Sequence, residues 1–117
     1  MRTVGFYTTW SGRAPALDFV NALAQKQRNK IFWVLSIVER ERIVPAKYPQ
    51  KLTDTEELWE VRVDFGGQTF RLLGFFDESV LLVLASGFVK KTERTPEAEI
   101  QVATARRRDY FRRKAQP

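Results

Sequence analysis

The sequence predicts an α+β domain in which a helical hairpin is laid on a small antiparallel sheet, in the order β-α-α-β-β-β-α. Three observations carry this. Apolar residues recur at helical spacing through two consecutive stretches between Pro15 and Arg42. Three apolar runs between Leu58 and Val89 are separated by the short turn signals Gly66-Gly67 and Asp77-Glu78. After them comes Thr95-Pro96, a helix-start signal, followed by a stretch that ends in arginines.

Met1 to Thr9 alternates loosely through Val4, Phe6 and Tyr7 and is β-branched and aromatic enough for a first strand. Ser11-Gly12 breaks it. Pro15 suits the first turn of a helix, and Leu17, Val20, Leu23 and Ala24 follow at helical spacing. A second helix is predicted over Lys26 to Arg42, with Ile31, Val34, Leu35 and Val38 on one stripe. Phe32, Trp33 and Ile37 widen that stripe, which predicts packing against both the first helix and the sheet. Pro45 and Pro49 close the helix and open a loop. The three apolar runs predict strands over about Leu58–Phe65, Thr69–Phe76 and Ser79–Val89, joined as an antiparallel meander. Thr95 is placed to cap a last helix with Pro96 at its first position. Glu97 and Glu99 then stand at its positive end and Arg106 to Lys114 at its negative end.

At 117 residues the chain reads as one domain over 1–117, with a basic tail from about residue 112. A domain of this size buries very roughly two thirds of its unfolded surface. The composition, 44% hydrophobic and 29% charged, is that of a soluble globular protein. No apolar run approaches the roughly 20 residues that cross a bilayer, and no signal-peptide pattern stands at the N-terminus, so a cytoplasmic protein without a membrane partner is expected.

Cysteine and histidine are both absent. That excludes disulfides, thiolate nucleophiles, cysteine-based zinc sites and imidazole acid–base chemistry. Catalysis would fall to Lys, Arg, Glu, Asp, Tyr, Ser or Thr. No cofactor is expected, and no spacing suggests a carboxylate metal site.

The net charge of +6 is unevenly placed. Lys90 to Pro117 hold nine basic and four acidic residues, whereas residues 1–89 hold eleven and ten. The excess is local, as in a directed electrostatic patch.

The chemistry-bearing residues lie where the strands end. Residues two apart on a strand share a face, so Glu60 and Arg62 point one way while Trp59, Val61 and Val63 point the other. Across the Gly66-Gly67 turn, Arg71 falls near Glu60 and Arg62, depending on register. Lys90 and Lys91 join them if the end of the third strand borders that face. Cations beside apolar surface are costly unless an anion meets them, and the commonest large polyanion is nucleic acid. The residues alone leave a second reading open, a cross-strand Glu–Arg pair on a solvent face.

Leu58-Trp59-Glu60-Val61-Arg62, Phe70-Arg71-Leu72, Phe88-Val89-Lys90-Lys91-Thr92 and Thr95-Pro96-Glu97-Ala98-Glu99-Ile100 with Ala103 occur in that order. Together they resemble the RelE/ParE toxin superfamily, most closely its HigB-like, phage-derived branch, over about residues 45–111. The resemblance implies a bacterial type II toxin, a metal-independent mRNA endoribonuclease that cuts in the ribosomal A site and inhibits translation. It implies a cognate helix-turn-helix antitoxin, with mRNA and rRNA as further partners. Carried over by position, Arg62 and Arg71 match strand cations and Lys91 the cation after the last strand. Glu60 stands where RelE has a lysine and Ile100 near where RelE has its tyrosine, departures that agree with the HigB-like pattern.

The catalytic set expected on this basis is Glu60, Arg62, Arg71, Lys90 and Lys91. Arginines and lysines would stabilise the phosphorane, with Glu60 as base and Lys90 or Lys91 as acid. Arg94, Arg106, Arg107, Arg108 and Tyr110 are the expected RNA contacts. Arg106 to Arg108 either bind phosphates or keep the helix end soluble, and Trp59 and Tyr110 either stack on bases or pack in the core. The alternative function is a non-catalytic toxin-fold protein that binds nucleic acid, or a ParE-like inhibitor of gyrase.

Overall fold

The computed structural model describes residues 2–41, 49–79 and 81–116. In chain order the elements are β1 (Thr3–Phe6), α1 (Pro15–Asn21), α2 (Gln25–Arg40), β2 (Pro49–Lys51), β3 (Trp59–Phe65), β4 (Gln68–Asp77), β5 (Leu81–Val89) and α3 (Glu97–Lys114). They form a five-stranded sheet in the order β1-β5-β4-β3-β2.

The α+β class and the helical hairpin are as the sequence predicts, but the sheet is mixed rather than antiparallel. From β2 to β5 neighbours are antiparallel, whereas β1 lies parallel to β5, with Thr3 opposite Leu81 and Phe6 opposite Leu84. Strand alternation has the same period in either direction, so it carries no information about the sense of pairing. The short edge strand β2, read from sequence as loop, pairs antiparallel with β3. It opens on Pro49, and a residue with no N–H to give is tolerated at a sheet edge. The expected loop at Pro45, the helix end at Arg42, and Met1 and Val80 lie outside the described residues.

The β3–β4 hairpin turns on Gly66 and Gly67, with φ of 61° and 78°. Both values lie in the left-handed region that a two-residue hairpin turn requires and that glycine enters without a Cβ clash. At the opposite edge, the Val4 amide donates to Glu39 Oε2 (2.9 Å) and Arg2 Nη1 to the Val38 carbonyl (2.8 Å). The C-terminal end of α2 thereby covers the unpaired side of β1.

The sheet separates two apolar layers. On one face Ala16, Val20, Ile31, Val34 and Val38 of the hairpin meet Val61, Val63, Phe70, Leu72, Leu82 and Leu84. Gly87 permits this approach, since a Cβ there would stand 2.5 Å from the Phe19 ring. On the other face α3 brings Ile100, Ala103, Tyr110 and Phe111 onto Leu73, Phe75, Val83 and Ala85. Each fully buried Leu or Phe contributes about 1.5–3 kcal/mol.

Two expectations are corrected. Phe32 and Trp33 do not widen the buried stripe of α2; both face solvent, Trp33 at 50% exposure. Thr95 does not cap α3, whose N-cap is Pro96 with no side-chain bond, because the Thr95 hydroxyl is used elsewhere. Among the described residues no helix is long and apolar enough to cross a membrane.

Candidate functional site

Register fixes the centre of the site. Arg62 stands opposite Arg71 across β3 and β4, Glu60 opposite Leu73, and Arg71 opposite Phe88 on β5. Alternation turns Glu60, Arg62 and Arg71 to the α3 face, while Trp59, Val61 and Val63 join the layer under the hairpin. Beyond β5 the segment Lys90–Pro96 returns over this end of the sheet.

That return buries Glu60 and Arg71, each only 5% exposed. Arg71 Nη1 donates to Thr95 Oγ1 (3.1 Å) and lies 3.5 Å from Glu60 Oε2, and Nη2 donates to the Glu93 carbonyl (3.1 Å). The Thr95 hydroxyl in turn donates a hydrogen bond to Glu60 Oε2 (2.9 Å), so one hydroxyl bridges acid and base. Arg71 Nε is buried with no hydrogen-bond partner among the described residues. A buried ion pair repays its desolvation poorly, and removing one member strands the other charge.

Around this pair stand the other predicted cations. Arg62 is half-buried and leans on Asp64, Nε to Oδ1 3.3 Å. Lys90 continues the β4–β5 ladder by one bond, its amide to the Thr69 carbonyl (2.8 Å), and its Nζ pairs with Glu93 at 3.2 Å. Lys91 and Arg94 are exposed. The fold therefore gathers Glu60, Arg62, Arg71 and Lys90 at one end of one sheet face, with Lys91 and Arg94 on the covering segment.

The remaining candidates belong to α3, and each has a partner within the chain. Arg106 Nη1 donates to the Ala85 carbonyl (2.8 Å), Arg107 lies over the Phe111 ring, and Arg108 pairs with Glu56. Tyr110 packs edge-on against Phe75 and Phe111 and donates to Asp77 Oδ2 at 2.6 Å. Burial, reinforced by the Asp77 carboxylate, pushes the Tyr110 phenol up to about 12. Lys114 reaches both Asp77 oxygens at 2.7 Å, and its hydrogen bonds hold that carboxyl below its usual range. One turn away Asp109 accepts from Tyr7 (2.6 Å) and pairs with Arg112 (2.8 Å) and Arg113 (3.0 Å). The Tyr7 bond is the chief cause of its lowered pKa.

Sequence reasoning missed Thr95 as a bridge and Tyr7, Asp77 and Asp109 as buried polar partners. Thr95 carried a real signal, a hydroxyl before proline, but that signal reads as a helix cap. The others depend on contacts between distant elements and leave no local pattern.

A family profile described as "Phage derived protein Gp49-like (DUF891)" matches residues 18–108, from within α1 to within α3. No curated protein matches the chain.

Proposed function

Since the chain belongs to the phage-derived Gp49-like family, a family of RelE-like proteins associated with toxin–antitoxin pairs, we propose that it is a type II toxin of the HigB-like branch. In this reading it is a ribosome-dependent mRNA endoribonuclease, held inactive by a helix-turn-helix antitoxin. The observation that carries it is the Glu60–Arg71 pair, buried beneath a segment that itself bears Lys90 and Lys91, with an Arg71 N–H left unused.

RNA enters as the Lys90–Pro96 segment lifts, releasing Arg71 from Thr95 and the Glu93 carbonyl. Arg71 and Arg62 then face the scissile phosphate, and Glu60 takes the proton of the 2′-hydroxyl. The O2′–P bond forms through a phosphorane whose added charge the guanidinium groups hold. The P–O5′ bond breaks and the leaving oxygen takes a proton from Lys90 or Lys91, leaving a 2′,3′-cyclic phosphate.

Induction in cells followed by primer extension on mRNA tests this. The parent should arrest translation and create new 5′ ends. Arg62→Ala and Lys91→Ala, both outside the buried pair, should fold and lower cleavage by about 10²–10³ each. A folded Arg62→Ala, Lys91→Ala double variant as toxic as the parent overturns the reading. DNA damage without new 5′ ends would assign the gyrase route instead.

A further inference from the structure

The turn between β1 and α1 holds Trp10, 73% exposed and the most exposed large apolar side chain among the described residues. Its backbone is not loose. The Thr9 amide donates to the Arg13 carbonyl (2.7 Å), the Gly12 amide to the Thr9 carbonyl (2.9 Å), and the Arg13 amide to Thr9 Oγ1 (3.2 Å). Thr9 and Ser11 also join their hydroxyls at 3.0 Å. Four residues thus spend local bonds on a turn that holds an indole out in water, which hydrophobic burial alone would oppose.

The ring stands beside the last turn of α3. The Arg113 guanidinium lies 5.1 Å from the Trp10 ring and 5.3 Å from the Tyr7 ring, and it donates to the Thr8 carbonyl. Arg113 is itself positioned by Asp109 at 3.0 Å. Among the described residues Arg13, 75% exposed, has one ion pair, a 3.6 Å contact with Asp18, and the Arg112 side chain, paired with Asp109, is also largely open to solvent. A cleft of about 380 Å³ between Tyr7, Tyr110, Arg113 and Lys114 adjoins the turn.

We propose that this turn and the end of α3 form a stacking platform for single-stranded nucleic acid. One base lies on the indole face, and Arg13, Arg112 and Lys114 receive the flanking phosphates. A flat aromatic face among cations is what an unpaired base and its phosphates require. A protein anchor is disfavoured because the chain neighbours of Trp10 include the exposed polar residues Ser11 and Arg13, not the water-excluding rim around a buried hot spot. Lys114 bonds Asp77, six positions along β4 from Arg71, so the platform lies roughly 20 Å from the Glu60–Arg71 pair at about 3.3 Å per residue. It is a second contact on the same protein and stands whether or not the first cleaves RNA.

Tryptophan fluorescence with the isolated full chain tests this, using short oligouridylate and oligothymidylate as single strands, a duplex of the same length, and polyglutamate. Single strands should quench the parent, and the affinity of every variant is read from the anisotropy of an end-labelled strand. Trp10→Ala should weaken binding roughly tenfold, within the range for loss of one base stack. Arg112→Ala should reduce the slope of log affinity against log salt by about one. Binding of oligouridylate, alone or with oligothymidylate, supports the platform. Unchanged affinity in a folded Trp10→Ala variant overturns the proposal. So does quenching by the duplex or by polyglutamate equal to that by single strands, the second of which would assign the surface to an acidic protein.

Discussion

One strand carries a buried charge at each end, and the two are satisfied differently. Asp77, at the end of β4, takes both Lys114 contacts and the Tyr110 hydroxyl from one helix, whose last turns dock on the sheet. Arg71, near the start of β4, is held by Glu60 from β3 and by Thr95 and the Glu93 carbonyl from an irregular segment. Its Nε has no hydrogen-bond partner among the described residues. A charge that fastens a helix should have its bonding spent, as Asp77 has. A charge kept for a substrate should be held by something that can let go, with capacity in reserve, and Arg71 meets both conditions. In the proposed reading the functional charge is the one whose burial is least useful for stability.

The largest expected effect breaks the Arg71 end. Glu60→Ala leaves the guanidinium buried without its acid and should lower unfolding free energy by about 3–5 kcal/mol in urea titration. Replacing both partners, Glu60→Leu with Arg71→Met, should be neutral or stabilising by about 1–4 kcal/mol while abolishing any cleavage. A double variant as unstable as the single one would show that the pair holds the fold together, and the contrast with Asp77 would fail.

Next comes the bridge. Thr95→Val keeps shape but removes the hydroxyl shared by Glu60 and Arg71, and should cost about 1–3 kcal/mol. Because the bridge also ties down the Lys90–Pro96 segment, amide exchange in that segment should quicken more than exchange in β4. Uniform quickening throughout the sheet would mean that Thr95 supports the whole domain and not the covering segment.

The Asp77 end is tested by pH. The Tyr110 phenol is raised to about 12, so its contribution is fully present below the usual tyrosine value of about 10 and is lost as pH rises from there to about 12. The Asp77 and Asp109 carboxyls are lowered, so theirs is present above the usual aspartate value of about 4 and fades as pH falls below it. Tyr110→Phe should cost about 1 kcal/mol at neutral pH. Urea midpoints taken from neutral to alkaline pH should fall less steeply for that variant than for the parent. Parallel curves would show that Asp77 does not hold the phenol.

What could be read in advance followed from local pattern. Ile31, Val34, Leu35 and Val38 are all buried as their spacing implied, and the Gly66-Gly67 turn sets the register that puts Glu60, Arg62 and Arg71 on one face. The same logic overreached at Phe32 and Trp33, where apolar character was taken for burial but, among the described residues, both side chains are exposed. The parallel pairing of β1 with β5 and the closing of Lys90–Pro96 over Arg71 join residues far apart in sequence. Such contacts leave no periodic trace, so the sequence suggested an open cluster of cations where the fold makes a covered pair.

The smallest expected effect concerns the outer face of α3. Arg108 is exposed and pairs with Glu56, which lies in the segment before β3. The pairing holds the Glu56 carboxyl below its usual range and raises the guanidinium further, but both side chains stand in water, where salt screens them and ordering two long chains offsets the attraction. Arg108→Ala should therefore leave the thermal midpoint unchanged at low and high salt. If it also leaves oligonucleotide affinity unchanged, Arg108 serves solubility. If affinity drops while stability holds, the arginine exchanges Glu56 for phosphate and the basic face of α3 extends the nucleic-acid surface beyond both ends of β4. A loss of stability as large as that of Tyr110→Phe would instead place Arg108 with Asp77 and Asp109 among the fastenings of the helix.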